Sequence, residues 1–306
     1  MTPALLERVT ATLAAPTPAA VRAFAERLAS EAGAVAALFY GSNLRSGSLD
    51  GVLDFYLLTD GPPERGLWPR VSYHEWSEAP QAGRQTLRAK VATMSLATFG
   101  EAAAGELVDT TIWTRFVQPA GLAWSANEAS REAVSQAVAA AAVTAARLAV
   151  ALGPAEGTAE DFWRALFRAT YRAEFRIEKP GRENDILGFA PAHFAGLLPL
   201  ALDAAGIPFT QHGERLRPAL ARSDRARLLR RWALRRRWGK PYNLVRLVRA
   251  STTFAGAARY AAWKVERHTG VPVTLTPWVE RHPVLAAPGV LWRVWRARRR
   301  MPGQAH

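Results

Sequence analysis

The feature that most restricts the fold of this 306-residue chain is a change of pattern near residue 125. Ahead of it, short apolar runs of strand length alternate with turn chemistry. AVAALFY (34–40) reads as a buried strand, GSNLRSGSLDG (41–51) as a turn, and VLDFYLLT (52–59) as a second strand closed by GPP (61–63). LRAKVATMS (87–95) alternates as a third strand, and TTIWTRFVQPAGLAW (110–124) as a short helix running into Pro119 and then apolar chain. Two helices precede the strands, over 3–14 and 17–32, with Thr17 as N-cap, Pro18 at the first helical position and Gly33 as the stop. Behind residue 125 the pattern is helical, over 128–152, 158–177, 191–205, 216–237, 241–250 and 254–269. The Pro-rich segment 270–289 reads as irregular, and the tail LWRVWRARRRMP as helical in type. The expected architecture is α+β: a mixed-sheet domain over 1–125, a helical domain over 126–269, and a Pro-rich segment with a basic tail over 270–306.

Charge divides along the same line. Residues 1–150 sum to −2 and the remainder to +16, within a total of +14. A basic second half is drawn to something anionic, either nucleic acid or a membrane surface. With 49% hydrophobic and 22% charged residues the chain is globular in composition. It has no cysteine, which excludes disulfides and thiolate metal sites, and its six histidines show no metal-binding spacing. AVSQAVAAAAVTAARLAVALG is interrupted by Ser135, Gln136, Thr144 and Arg147, and reads as a buried helix and not a membrane span. The first residues, with Glu7 and Arg8 and no long apolar core, do not read as a secretory signal.

The chemistry concentrates in FYGSNLRSGSLDGVLDFYLLTD (39–60). A strand ending in Gly-Ser, followed by a strand with a carboxylate, is a geometry used for nucleotidyl transfer. Gly41 would let the backbone approach a phosphate, and Ser42 would add a hydroxyl. Asp54, flanked by Leu53 and Phe55, is costly to bury without a partner, and Mg²⁺ is one such partner. The alternative is a plain hairpin with Asp54 on its wet face. Val52 and Tyr56 stand two residues away on either side, so no Asp-x-Asp pair is present. Asp60 reads as a turn residue before Gly61.

The series YGSN, LDFYLLTD, LRAKVATMS, WTRFVQP, TYRAEFRIEKPGRENDIL and VRASTTFAGAARYAAWKVER resembles, in order and approximate spacing over about 36–268, the mitochondrial-type phosphatidate cytidylyltransferases, which are peripheral CDP-diacylglycerol synthases. The resemblance implies a nucleotidyltransferase-fold domain, a winged-helix-like helical domain and an amphipathic C-terminal segment on the inner face of the cell membrane. It implies CTP and phosphatidic acid as substrates, Mg²⁺ as cofactor and an anionic membrane surface as partner, with no nucleic acid expected. Tyr40, Gly41, Ser42 and Asn43 would hold the nucleotide, with Arg88 or Lys90, Arg115, Glu174 and Lys179; Asp54 would hold the metal; Ser42, Asp54, Lys90 and Arg115 would carry catalysis. Asn43 stands where the family has glycine, Gln118 where it has lysine, Glu174 where it has aspartate, and Phe254 and Ala257 where it has glutamine and lysine. Each position also has a plainer reading: Arg115 as an exposed helix arginine, Arg88 and Lys90 as solvated strand cations, and Glu174 as half of a structural ion pair.

RARLLRRWALRRRWGK (225–240) holds eight Lys or Arg in sixteen positions, interleaved with Leu and Trp. It reads either as a helix at an anionic interface or as a solvated helix packing Leu and Trp inward. In the tail, Trp292, Arg293, Trp295, Arg296, Arg298, Arg299 and Arg300 have the headgroup-seeking composition with less to pack against, and are read as membrane-binding. A nucleotidyltransferase for a nucleic-acid acceptor, and a relative that binds without turnover, are the rival readings.

Overall fold

A computed structural model describes residues 1–66, 68–77, 86–173, 181–253, 256–269 and 271–281, together with 286, 288–289, 292–293 and 296. Helices α1 (Pro3–Leu13) and α2 (Ala19–Ala32) lead into β1 (Ala34–Tyr40), a short α3 (Ser42–Ser46), β2 (Leu53–Thr59), β3 (Arg70–Trp76) and β4 (Leu87–Ser95). Then come α4 (Leu96–Ala103), α5 (Thr111–Phe116), β5 (Gly121–Ser125), α6 (Glu128–Leu152), β6 (Gly157–Thr158), α7 (Ala159–Ala173), α8 (Arg182–Phe189) and α9 (Pro191–Ala204). The chain continues through β7 (Phe209–His212), β8 (Arg215–Pro218), α10 (Arg222–Thr253), α11 (Ala257–Thr269) and α12 (Pro277–Arg281).

The chain is α+β. Its main sheet has the order β3-β4-β2-β1-β5 and is mixed: β2 and β4 run parallel, and the other pairs antiparallel. Alternation along each strand sends two residue sets to two covers. Phe39, Leu53, Phe55, Leu57, Leu87 and Val91 pack with Val21, Phe24 and Leu28 of α2. Leu38, Tyr56, Leu58, Ala92 and Met94 face the larger core, with Phe99, Ile112, Trp113 and Phe116 of α4 and α5. α6 runs through that core against α1, α4, α5, α7 and α9. It is long and apolar enough to cross a membrane, but 72% of its most apolar stretch is buried inside the protein, as its reading as a core helix requires.

Several sequence expectations are corrected. β3 and β5 add two strands to the three expected; β5 lies within the segment read as helix followed by apolar chain, because Gly121–Ser125 pairs with β1. Thr17 is one residue outside the capping position: Pro18 is the N-cap of α2, and the Thr17 hydroxyl lies beside Gly121. Gly33 does end α2, at φ 61°. Residues 216–218 are strand and not helix, paired in a β7–β8 hairpin that β6 extends to three strands. α10 continues through Pro241 where a break was expected. That residue is exposed, so the proline forfeits one backbone bond without disturbing packing. α12 occupies part of the segment read as irregular.

The inward-packing reading of the basic run holds for one side of α10, and the other side is exposed. Trp232 is 6% exposed and joins the core with Leu228 beside it, and the buried Arg235 donates to the carbonyls of Gly105 and Leu107. Leu234, Trp238 and Val245 are more than half exposed, spaced as one helical stripe among exposed arginines. Trp232→Ala is therefore expected to cost about 3–5 kcal/mol in urea unfolding, as for other buried large aromatics. Trp238→Ala should move the midpoint by no more than about 0.5 kcal/mol.

Candidate functional site

The larger-core face of the sheet changes character along its length. Where α4 and α5 cover it, β2 and β4 present Tyr56, Leu58, Ala92 and Met94. Past that cover the same face presents Asp54, Lys90 and Arg88. Register places Asp54 directly between Tyr40 on β1 and Lys90 on β4. The charged positions fall where the helical cover ends, which is how an acid can sit in a core strand.

Gly41 closes over Asp54. Its φ is 93°, in the left-handed region, and a Cβ added there would lie 2.9 Å from Asp54 Oδ2. Glycine is required on both counts. Ser42 begins α3 and is exposed. Asn43 is buried and donates its amide hydrogens to the carbonyls of Ser48, at 3.0 Å, and Asp50, at 2.7 Å. Its side-chain amide nitrogen therefore ties down the 42–50 loop.

Arg115 enters from α5. Its guanidinium donates to the Tyr56 hydroxyl at 2.7 Å and lies 4.9 Å from the Tyr40 ring centre, stacking cation on π-face. The plainer reading of Arg115 as an exposed helix arginine is set aside. Between the two strand cations, register selects Lys90 as the neighbour of Asp54. Arg88 pairs with Glu75 at 3.4 Å and lies 5.5 Å from the Trp263 ring centre.

The charges act on one another. Burial pushes the Asp54 carboxyl above the usual carboxylate range, opposed by Lys90, Arg115 and Arg45. Loss of hydration pushes Lys90 below the usual lysine range, against the attraction of Asp54 and with repulsion from Arg115 and Lys264. Burial likewise raises Tyr40 far enough to keep its hydroxyl protonated. A carboxyl whose folded pKa is raised destabilises the fold once ionised. That loss begins as pH rises past its ordinary value of 3.8 and is complete above the folded value. Wild type and Asp54→Asn are therefore expected to unfold alike in acid and to diverge toward neutral pH with the variant the more stable, as denaturant titrations at several pH values would record.

Among the described residues no group of three or more His, Asp or Glu side chains could hold a metal by itself. Mg²⁺ does not need one, since it is commonly held by one or two carboxylates plus substrate phosphates and water. Asp54, with space above Oδ2 that only the missing Gly41 side chain leaves open, fits that mode.

A wall to which the sequence reading gave no site residues is α11. Tyr260, Trp263, Lys264 and Arg267 recur at i, i+3, i+4 and i+7 and so share a face. Tyr260 packs on Tyr73 of β3 at 5.5 Å between ring centres, Trp263 meets Arg88, and an Arg267 guanidinium nitrogen lies 2.9 Å from the Cβ position of Gly51. The helical spacing was legible, but which sheet the face would meet was not. Glu174 and Lys179 lie outside the described residues, as do Trp295, Arg298, Arg299 and Arg300. Of the tail, Trp292, Arg293 and Arg296 are described and exposed, with the Arg296 guanidinium 5.2 Å from the Trp292 ring centre.

The fold and site together define a mixed-sheet α+β protein with one strand carboxylate enclosed by a glycine turn and a ring of cations. No protein-family model matches the chain, and no curated protein matches it.

Proposed function

We propose that the chain is a nucleotidyltransferase, and specifically a CTP:phosphatidate cytidylyltransferase of the mitochondrial, peripheral type. One observation carries this reading: Asp54 stands on a central strand against Gly41, with Lys90, Arg115 and Arg45 close enough to act on its charge. A site with more cations than acids suits a polyanionic ligand, and its lone acid suits a bound cation.

In this reading the turn at Gly41 and Ser42 receives the triphosphate, while Arg115 and Lys90 oppose its charge. Mg²⁺, held by Asp54 and the phosphates, would supply further charge neutralisation at the α-phosphorus. A phosphatidic acid phosphate oxygen attacks that phosphorus, the bond to the β-phosphate oxygen breaks, and pyrophosphate leaves with its electron pair. The attacking group is already an anion, so no general base is needed. The side chains act by positioning and electrostatics. The exposed stripe of α10 and the Trp292 region bring the site to an anionic bilayer, as a peripheral protein on the inner face of the cell membrane.

A second reading, nucleotide binding without turnover, is favoured by Tyr56. It stands where a second carboxylate would complete an Asp-x-Asp pair, and is buried and bonded to Arg115. Full-length protein with Mg²⁺, labelled CTP and phosphatidic-acid vesicles separates the two. Labelled CDP-diacylglycerol and pyrophosphate in equal amounts support the transferase. Bound CTP with no product supports the binding protein. Transfer of label to RNA and not lipid would replace the acceptor.

A further inference from the structure

The cations around Asp54 fall into two groups. Arg115 stands over Tyr40 on the β1 side. Arg45, in α3, approaches from the loop that follows β1, its guanidinium 5.8 Å from the Phe189 ring centre. On the opposite side stands Lys90, beside Tyr73 in the β3–β4 register. Tyr73 carries Tyr260, and Lys264 Nζ lies 5.8 Å from the Tyr260 ring centre. Arg267, one turn further along α11, reaches the Gly51 end of the same loop. The carboxylate thus lies between two positive banks built from different parts of the chain. A site for one phosphate chain needs one bank. Two banks suit a reaction that joins two phosphate-bearing reactants.

We infer that the α11 face bearing Lys264 and Arg267 forms a second phosphate-binding subsite that takes the phosphate monoester of the acceptor, while Arg45, Arg115 and Lys90 hold the nucleotide triphosphate. This rests on the nucleotidyl-transfer reading for its purpose, but its binding prediction does not depend on turnover. Aromatic packing of Tyr260 on Tyr73 and of Trp263 beside Arg88 fixes the wall, so the two cations are presented by a braced helix and not by a loop. Lys264 and Arg267 are both exposed at this face, where an incoming monoester meets them.

Isothermal titration of the full-length chain with Mg-CTP and, separately, with glycerol 3-phosphate tests the inference. In the double variant Lys264→Ala/Arg267→Ala, monoester affinity should fall at least about tenfold, the loss of two charge-assisted contacts, with CTP affinity changed less than about threefold. Arg45→Ala/Arg115→Ala should show the reverse. Lys264→Arg, which keeps the charge, should retain monoester binding. Equal loss of both ligands in the α11 variant, unchanged monoester affinity, or no monoester binding by wild type at millimolar concentration would overturn the subsite. The reciprocal pattern without cytidylyl transfer to lipid would overturn the proposed reaction and leave the subsite standing. Short-chain phosphatidic acid and inorganic phosphate serve as further probes: tighter binding of the lipid marks a headgroup site, equal binding a site for soluble phosphates, and both support the subsite.

Discussion

Asp54→Asn is expected to lower cytidylyl transfer by on the order of 10³-fold or more while leaving the protein at least as stable as wild type at neutral pH. The two halves have one cause. Asp54 is the carboxylate on which Lys90, Arg115 and Arg45 act, so on the proposed reading its removal takes away the group that would hold a divalent cation against the triphosphate. Its ionisation is opposed by burial more strongly than the neighbouring cations favour it. The neutral amide mimics the protonated acid and relieves that penalty, in keeping with the general cost of assembling charge at a working site. Labelled-CTP turnover and urea midpoints on the same preparations check both halves. An active Asp54→Asn protein would remove Asp54 from the chemistry. An inactive variant with a much lower midpoint would assign the residue a structural role instead.

Gly41→Ala should be nearly as damaging to activity and, unlike the first variant, should cost stability. The methyl group meets Asp54 Oδ2 at 2.9 Å, and the backbone stands at φ 93°, a region L-residues rarely adopt. Relief of either requires the turn to move away from β2. Strain of this kind costs about 1–3 kcal/mol, and displacement of positioning groups by an ångström can cost about 100-fold in rate. Gly47→Ala is the matched control: that glycine has φ 67° but nothing within 4 Å of its Cβ position. It should show a modest stability loss of about 1 kcal/mol with turnover near wild type. Similar activity losses in both variants would mean that the whole loop, and not the contact with Asp54, is what matters.

Much of the sheet was legible because its strands alternate between two apolar covers, and AVAALFY, VLDFYLLT and LRAKVATMS fall close to the strands that form. β3 was not, since RVSYHEW has an edge strand's polarity and owes its place to pairing with β4. β7 and β8 are only four residues each, too short to outweigh the helical pattern on either side. In the site, Gly41, Asp54, Lys90 and Arg115 were readable as residue types in the right order. What the sequence could not supply was register, which chooses Lys90 over Arg88 as the partner of Asp54, and tertiary contact, which turns Asn43 into a loop brace and brings α11 across the sheet.

The wall of the site is made last. A nascent chain that has reached β5 already holds Gly41, Asp54, Lys90 and Arg115, whereas Lys264 and Arg267 lie roughly 140 residues further on. At elongation rates of about 5–20 residues per second this is a delay of roughly seven to thirty seconds. The α11 wall thus joins the sheet late in synthesis, after the basic α10 has emerged. A ribosome that stalls short of α11 leaves the sheet with its turn and its aspartate but without the second bank of charge.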